Sequence, residues 1–340
     1  MIGIMNRWLP LSLAVLVLTK FVAPACAQAA TPPGVPSAES PGLALPTLGG
    51  NQFWSDLLLF HRWRIQRNAV TKHCRLLDEN NLRHAAGTFD ECRAALDAAK
   101  RRLDLPPLHG KAVILLHGLG DTRAMMGSLA RRLEEGGKFQ TFNVSYPSTR
   151  QGVDEHAECL ASVVEHLDGI EEIHFIGYSL GNIVIRRYMG DRLRPGGRLD
   201  PRIKRFVMLA PPNHGAQFAT MFGDQRWFTA ALGESAQQLG KLWAWEEANL
   251  ATPPVEFAIV AGGLDNGKGF NPLLPGDDDG MVTVESAQLA GARDWLLVPL
   301  LHPMIPRDPK VQGYALRFLE EGHFVAADCR HPLPAKEGGR

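Results

Sequence analysis

From about residue 110 onward, short continuous apolar runs alternate with segments whose apolar residues recur every three to four positions. The run AVILL at 112–116 is typical of a central parallel strand. Further strands are predicted at 141–145, 173–176, 206–209, 257–260 and 295–298. Strands that alternate with helices predict an α/β fold in which helices cover both faces of a mostly parallel central sheet.

The segment before this region shows a different pattern. Across residues 52–77 apolar residues recur at helical spacing: Trp54, Leu57, Leu58, Trp63 and Val70. After a break, Thr88 with Glu91 three positions later matches a capping box and predicts the start of a second helix. We therefore expect residues 51–108 to form an N-terminal helical hairpin that precedes an α/β domain at 109–325, with a tail at 326–340.

Two cysteines of this extension stand at similar distances from the tip of the predicted hairpin. Antiparallel helices would bring Cys74 and Cys92 together, so we expect a disulfide between them. The alternative is that they join Cys159 and Cys329 as unpaired thiols. No cysteine spacing matches a metal site.

The N-terminus has the layout of a secretory signal. Arg7 precedes an apolar stretch at 8–18, and the sequence Ala-Cys-Ala at 25–27 offers a small-residue cleavage site. We expect residues 1–27 to be a signal peptide, residues 28–50 to be a Pro-rich linker, and the protein to be exported to the periplasm or the medium. A lipid anchor on Cys26 is the alternative, although the three residues before it match a lipobox poorly.

Composition narrows the classes of partner. The 340 residues carry a formal net charge of zero and a pI near 7.2, so nothing favours nucleic acid or an anionic membrane surface. We expect no cofactor, no metal and no obligate protein partner.

The stretch with the clearest chemistry is Gly-Tyr-Ser-Leu-Gly at 177–181. It follows a predicted buried strand and precedes a predicted helix, which is the context of a nucleophile elbow centred on Ser179. Such a sharp turn brings Gly177 and Gly181 close to neighbouring backbone, where a Cβ would clash. The helix that follows would direct its free N–H groups at the reacting centre.

A nucleophilic serine needs a base and an acid that orients the base. His302 follows the last predicted strand and is the preferred base; His323 and His331 are the alternatives. The acid is expected between the serine and the base in the chain. Asp279 is preferred because Gly280 permits a tight turn, and Asp265 is its rival.

Two backbone N–H groups are expected to stabilise an oxyanion. One belongs to Leu180, directly after the serine, and the other to Leu119 in the Gly-rich loop after the strand at 112–116. His117 in that loop is interpreted as structural, because the backbone amide would do the chemical work.

Residues 211–254 form a long insertion that is rich in large apolar residues: Met221, Phe222, Trp227, Phe228, Leu232, Leu242, Trp243 and Trp245. We interpret it as a cap or lid over the site; the alternative is that its apolar residues simply pack the insertion onto the domain. An apolar cap favours an uncharged acyl or aryl substrate and transient contact with a lipid surface.

Five segments together resemble bacterial α/β-hydrolase-fold serine lipases and esterases over about residues 111–324: LHGLG at 116–120, GYSLG at 177–181, APPNHG at 210–215, DGMV at 279–282, and His302. The resemblance implies a carboxylic ester hydrolase that acts on a small-molecule or lipid ester through an acyl-enzyme. It implies a structural or pocket-lining role for His214. The elbow differs from many lipases in having Tyr178 where they have histidine.

The same constellation of residues would also serve other reactions. Amide or thioester cleavage and acyl transfer to an alcohol use the same serine, histidine and aspartate, and the pocket decides among them. A catalytically silent hydrolase fold that acts as a binding module is the alternative from a different class.

Overall fold

The computed structural model describes residues 45–46, 52–136, 138–216 and 226–335. The predicted signal peptide lies outside these residues, as does the predicted linker apart from the two-residue strand β1, Leu45–Pro46. In the described part of the chain, no helix is both long and apolar enough to cross a membrane.

The N-terminal extension is an antiparallel sheet and not the predicted helical hairpin. Its strands follow one another along the chain and pair in the order β1–β5–β4–β3–β2: β2 Trp54–Phe60, β3 Trp63–Asn68, β4 Cys74–Leu77 and β5 Leu82–Gly87. Helix α1, Phe89–Arg102, begins where it was predicted, and Thr88 and Glu91 form the predicted capping box.

The hairpin prediction was wrong because β2 is buried on both faces. Six consecutive residues of this strand are buried, so its apolar residues do not alternate with polar ones and their spacing also fits a helix. The turns are made by residues with positive φ, His61 between β2 and β3 and Asn81 between β4 and β5. The turn at 78–81, with one aspartate and two asparagines, was the available signal for strands.

The disulfide prediction depended on the hairpin and is also wrong in this structure. Cys74 lies on β4 and Cys92 on α1, and both are free, buried thiols. Cys159 is likewise free and buried, whereas Cys329 is free and exposed.

The central sheet contains six parallel strands in the order β11–β10–β9–β8–β6–β7: β6 Gly110–Leu116, β7 Phe139–Val144, β8 Ile170–Tyr178, β9 Ile203–Leu209, β10 Glu256–Gly262 and β11 Asp294–Val298. Each neighbouring pair is parallel. Because all carboxyl ends of parallel strands meet at one edge, the loops after β6, β8, β10 and β11 converge there.

Helices cover both faces of this sheet, as predicted. Their bounds are α2 Gly127–Glu134, α3 Val153–Glu165, α4 Leu180–Arg192, α5 Arg226–Leu239, α6 Trp243–Glu247, α7 Val284–Ala287 and α8 Pro309–Glu321. Helices α3 and α4 bury one apolar core, and α2 and α8 bury another on the opposite face. Short 3₁₀ helices lie at Arg123–Met126, His302–Arg307 and Ala327–Cys329.

The extension is joined to the α/β domain by a buried carboxylate. The side chain of Asp56 accepts a hydrogen bond from the backbone N–H of Ser145 at 2.6 Å, and the backbone N–H of Asp56 donates to the Ser145 carbonyl at 2.9 Å. The other oxygen of Asp56 accepts from Gln66 at 2.7 Å. Gln66 in turn accepts from Arg75, whose guanidinium lies 3.8 Å from the ring centre of Trp54.

Candidate active site

Ser179 lies in the strained turn between β8 and α4 and has φ 51° and ψ −120°. A Cβ on Gly177 would lie 2.5 Å from Oδ1 of Asn182, and one on Gly181 would lie 2.5 Å from the carbonyl oxygen of Leu116. The Ser179 N–H donates to the Leu209 carbonyl at 3.0 Å. Glycine is therefore required on both sides of this turn, as the motif predicted.

The structure brings His302 and Asp279 to Ser179. Nε2 of His302 lies 2.9 Å from Oγ of Ser179, and Nδ1 of His302 lies 2.6 Å from Oδ2 of Asp279. His302 begins the 3₁₀ helix after β11, and its backbone N–H donates to the Asp279 carbonyl at 2.8 Å. With His302 3% exposed and Asp279 1% exposed, this series is shielded from water.

The loop after β10 directs Asp279 inward. Gly280 has φ 96°, and the turn allows Oδ1 of Asp279 to accept from the N–H groups of Met281 at 3.0 Å and Val282 at 2.8 Å. These bonds hold one carboxylate oxygen in place and leave the other for His302. Hydrogen bonds to the ionised form of a carboxylate stabilise its negative charge.

The alternative candidates lie elsewhere. Asp265 is exposed, and its backbone N–H donates to Asp277 at 2.6 Å. His323 pairs with Glu321 at 3.1 Å beyond the end of α8. His331 is held through its backbone N–H, which donates to Asp294 at 3.0 Å. None of the three has a contact with Ser179 among the described residues.

The two predicted oxyanion donors flank the serine. Leu180 is the first residue of α4, and Leu119 belongs to the loop after β6. Within the described residues neither backbone N–H has an acceptor. A Cβ on Gly118 would lie 3.2 Å from the Cβ of Ser179, which shows how closely the loop approaches the serine. Both donors are therefore free to bind a ligand oxygen.

The loop that carries Leu119 is braced by the N-terminal extension, a contact that the sequence did not predict. Nε2 of Gln52 donates to the Asp121 carbonyl at 2.6 Å, and Oε1 of Gln52 accepts from the Thr149 N–H at 3.1 Å. Oγ of Ser148 accepts from the Gly120 N–H at 3.1 Å. The extension thus contributes to the geometry of the site although it lies outside the segments that carry the motifs.

Two buried rings support the same loop from behind. The ring of His117 stacks on Tyr146 with 4.2 Å between centroids, and the Tyr146 hydroxyl donates to the His117 carbonyl. Burial lowers the pKa of His117 to about 4, so its imidazole is neutral near pH 7. Its Nδ1 lies 2.9 Å from the Gly118 carbonyl and not beside Ser179, in agreement with a structural role.

Tyr178, the residue that distinguishes this elbow, contacts His302. Its hydroxyl donates to the His302 carbonyl at 3.3 Å, and the two ring centroids lie 5.2 Å apart. The tyrosine therefore supports the loop that presents the imidazole. Nearby, burial raises the pKa of the Asp121 carboxyl, while His302 and Arg307 lower it.

The insertion is attached to α4 by two buried arginines. Arg186 donates to the Ala251 carbonyl at 2.9 Å and to Oδ1 of Asn213 at 3.1 Å. Arg187 pairs with Glu246 at 3.2 Å, and Glu246 is 0% exposed. Both links hold the second half of the insertion beside the helix that follows Ser179.

The predicted lid itself is described only in part. Met221 and Phe222 lie outside the described residues, and the side chains of Trp227, Phe228 and Leu232 do as well. Trp243 packs partly buried against the core, whereas Leu242 and Trp245 are exposed. His214 is exposed and lies 3.2 Å from Glu247, so it acts as a surface contact of the insertion.

Exposed apolar residues lie close in the chain to Asp279 and His302. Met281 follows the Asp279 turn, and Leu301 and Met304 flank His302; each exposes between 41% and 50% of its surface. In the described part of the chain, no three His, Cys, Asp or Glu side chains are grouped so that they could hold a metal ion.

A family profile described as the alpha/beta hydrolase family matches residues 113–336, about two thirds of the chain. The chain belongs to the alpha/beta hydrolase family. The predicted fold is thereby confirmed, with the exception of its N-terminal hairpin. A comparison with curated protein sequences gave no match.

Solved structures with a similar fold are distant. Phospholipase PlaB from Legionella pneumophila is 16% identical with a TM-score of 0.45, and the match covers 63% of this chain and 57% of that one. In complex with thio-NAD the same phospholipase is matched over 44% of its length, with 20% identity, a TM-score of 0.41 and 52% coverage of this chain. The mature Bacillus licheniformis lipase BlEst2 is 17% identical with a TM-score of 0.44, covering 63% of this chain and 94% of that one. The chain thus spans about half the length of PlaB.

Proposed function

We propose that this protein is a serine hydrolase that cleaves carboxylic esters through an acyl-enzyme. The proposal is carried by one observation, the continuous series from Oγ of Ser179 through the imidazole of His302 to Asp279, with contacts of 2.9 and 2.6 Å. Such a series gives the serine an adjacent base and gives the base a fixed orientation.

In the proposed reaction, Oγ of Ser179 attacks the ester carbonyl carbon while Nε2 of His302 accepts the hydroxyl proton. Asp279 holds Nδ1–H of the imidazole and stabilises the imidazolium that forms. The N–H groups of Leu119 and Leu180 donate to the oxyanion. His302 then returns the proton to the leaving alkoxide, and water releases the acid by the reverse sequence of steps.

The surroundings support an uncharged substrate with an apolar acyl group. Met281, Leu301 and Met304 offer exposed apolar surface beside the reacting groups. The Asp121 carboxyl lies partly buried on the oxyanion loop. When it is ionised, it would repel an anionic substrate. Lipases and a phospholipase occur among the structures of similar fold, which agrees with a lipid or small aliphatic ester.

The test combines active-site labelling with turnover. The wild-type protein is expected to react with a fluorophosphonate probe and to hydrolyse a series of p-nitrophenyl esters, and Ser179→Ala is expected to lose both. The loss in turnover should exceed about 10³-fold, because the serine is the only group that forms the covalent intermediate. Ser286→Ala, which alters a buried serine of α7, is the matched control.

Each outcome decides a different part of the proposal. Labelling of wild type without ester turnover would keep the activated serine and replace ester cleavage by amide, thioester or transfer chemistry. Failure of folded wild-type protein to label, with and without detergent, would sink the serine mechanism and favour a silent binding module. Labelling only in detergent would support a lid formed by residues 211–254.

We also propose export to the periplasm or the medium, since the N-terminal 27 residues have the charge, length and cleavage site of a secretory signal. The mass of the mature protein checks this directly. Removal of 27 residues is expected, whereas an acylated N-terminus at Cys26 would indicate a lipid anchor, and an unprocessed chain in the cytoplasm would contradict export.

A further inference from the structure

A cleft lies beside β7, the edge strand of the central sheet. It has a volume of about 400 Å³ and is bounded by the turn between β2 and β3, by α2 and by β7. Four arginines line it, Arg62, Arg64, Arg123 and Arg131. None of the groups assigned to ester cleavage belongs to its lining.

The cleft carries an excess of positive charge. Its carboxylates are Glu79 and Glu134, and Glu134 pairs with Arg62 at 3.0 Å. Neither Arg123 nor Arg131 has an ion-pair partner in the described ranges. Four guanidinium groups face two carboxylates, so the formal charge of the lining is +2. Charge of one sign in a cleft attracts the opposite sign.

Arg64 lies at the floor of this cleft and is only 2% exposed. Its Nη2 donates to Oδ1 of Asn81, but its Nε has no hydrogen-bond partner among the described residues. Asp56 and Asp78 attract the guanidinium at longer range, yet each already accepts other hydrogen bonds. A buried guanidinium with a free donor calls for an acceptor.

The cleft also offers a free acceptor. Nδ2 of Asn143 on β7 donates to the Arg123 carbonyl at 2.7 Å, and this bond fixes the orientation of the amide. Oδ1 of Asn143 is buried and receives no hydrogen bond from any described group. A ligand that suits both orphan atoms must accept from Nε of Arg64 and donate to Oδ1 of Asn143.

We propose that this cleft is a binding site for a phosphate group that retains a protonated oxygen, as in inorganic phosphate or the monoanion of a phosphomonoester. The ionised oxygens accept from Arg64, Arg123 and Arg131, since guanidinium groups match the geometry of a phosphate. The P–OH group donates to Asn143. Sulfate has the same shape as phosphate and the charge of its dianion but no proton to donate, and it therefore binds more weakly.

The test measures binding of inorganic phosphate by calorimetry to the full-length Ser179→Ala protein, so that its outcome is independent of ester turnover. Phosphate is expected to bind at least about tenfold more tightly than sulfate, the discrimination given by one hydrogen bond of about 1.4 kcal/mol. Arg123→Gln and Arg131→Gln should each weaken phosphate binding about tenfold. Arg101→Gln, at an exposed site on α1, should leave it unchanged.

Asn143→Asp tests the acceptor without removing buried volume. The added charge should abolish phosphate binding while the protein remains folded by circular dichroism. Vesicles of phosphatidylcholine with and without phosphatidic acid distinguish a lipid headgroup from free phosphate, because only the former gives Arg123-dependent sedimentation. Three results would overturn the proposal. They are no phosphate binding to the Ser179→Ala protein, equal binding of phosphate and sulfate, or a loss in Arg101→Gln equal to that in Arg123→Gln.

Discussion

Two buried carboxylates organise hydrogen-bond series of the same kind at two places in the molecule. Asp279 accepts from the N–H groups of Met281 and Val282, and Asp56 accepts from the N–H of Ser145. The second oxygen of each carboxylate is hydrogen-bonded to a side chain, that of Asp279 to His302 and that of Asp56 to Gln66. Both are at most 1% exposed.

The two series differ at their far ends. The series from Asp56 continues through Gln66 to Arg75, which is covered by the ring of Trp54, so it ends in a contact within the protein. The series from Asp279 ends at Oγ of Ser179, which remains partly exposed at a strained turn. A closed series fastens two parts of the fold, while an open one leaves its last atom available for chemistry.

The largest expected effect comes from altering the open series. Asp279→Asn would keep an oxygen toward the N–H groups of Met281 and Val282 and would turn its amide nitrogen toward Nδ1 of His302. The imidazole would then be held in the wrong tautomer, and kcat for ester hydrolysis should fall about 10⁴-fold. Steady-state kinetics measure the loss in kcat, and urea denaturation of the same variant checks that it remains folded.

Asp265→Asn is the control for that change, because Asp265 is the rival acid and lies exposed on the neighbouring turn. Its kcat should stay within about threefold of wild type, as for a surface change remote from the series. Similar losses in both variants would refute the assignment of Asp279 alone.

A smaller effect, on stability, is expected from the closed series. Asp56→Asn must place an NH₂ group against either the Ser145 N–H or Nε2 of Gln66, since both neighbours donate. The free energy of unfolding should fall by about 2 to 3 kcal/mol because a buried donor loses its acceptor. Asp97→Asn, at a partly exposed position on α1, should change it by less than about 0.5 kcal/mol. Equal unfolding midpoints for the two variants in urea would contradict this role.

A further effect, on the pH dependence of stability, concerns α3, which places His156 beside Tyr146 and His117. Burial lowers the pKa of His156 to about 3 and those of His117 and His174 to about 4. Below about pH 6.5 these three imidazoles bind protons in the unfolded chain but stay neutral in the folded chain. The free energy of unfolding should therefore decrease as the pH falls from 6.5 toward 4.

His156→Leu separates one imidazole from the rest. The variant should lose up to about 1.4 kcal/mol per pH unit of this slope, relative to wild type, because one group no longer discriminates between the folded and unfolded states. Urea denaturation at pH 7 and pH 5 measures the slope. Parallel slopes for wild type and variant would show that His156 does not contribute.

The open series was predictable from the sequence because its signals are local. The strand, the Gly-x-Ser-x-Gly turn and the helix around Ser179 occupy one continuous stretch, and chain order alone placed His302 and Asp279 after it. Even the choice between Asp279 and Asp265 followed from one glycine, whose φ of 96° permits the turn.

The closed series and the arginine cleft depend on contacts between distant segments. Asp56 and Ser145 are 89 positions apart, and Gln52 and Asp121 are 69 apart. A single sequence gives no spacing rule for such pairs. The strand that carries Asp56 was also predicted wrongly, since β2 is buried on both faces and its apolar spacing does not separate strand from helix.

The free cysteines make local opening of the fold measurable by alkylation. Burial raises the pKa of the Cys92 thiol to about 11 and also raises those of Cys74 and Cys159, so few thiolates form at neutral pH and reagents meet none of them in the native fold. Cys329 is exposed and offers a reference rate in the same molecule. Alkylation of Cys74, Cys92 or Cys159 therefore requires β4, α1 or α3, respectively, to open. The three alkylation rates thus report how often each of these elements opens.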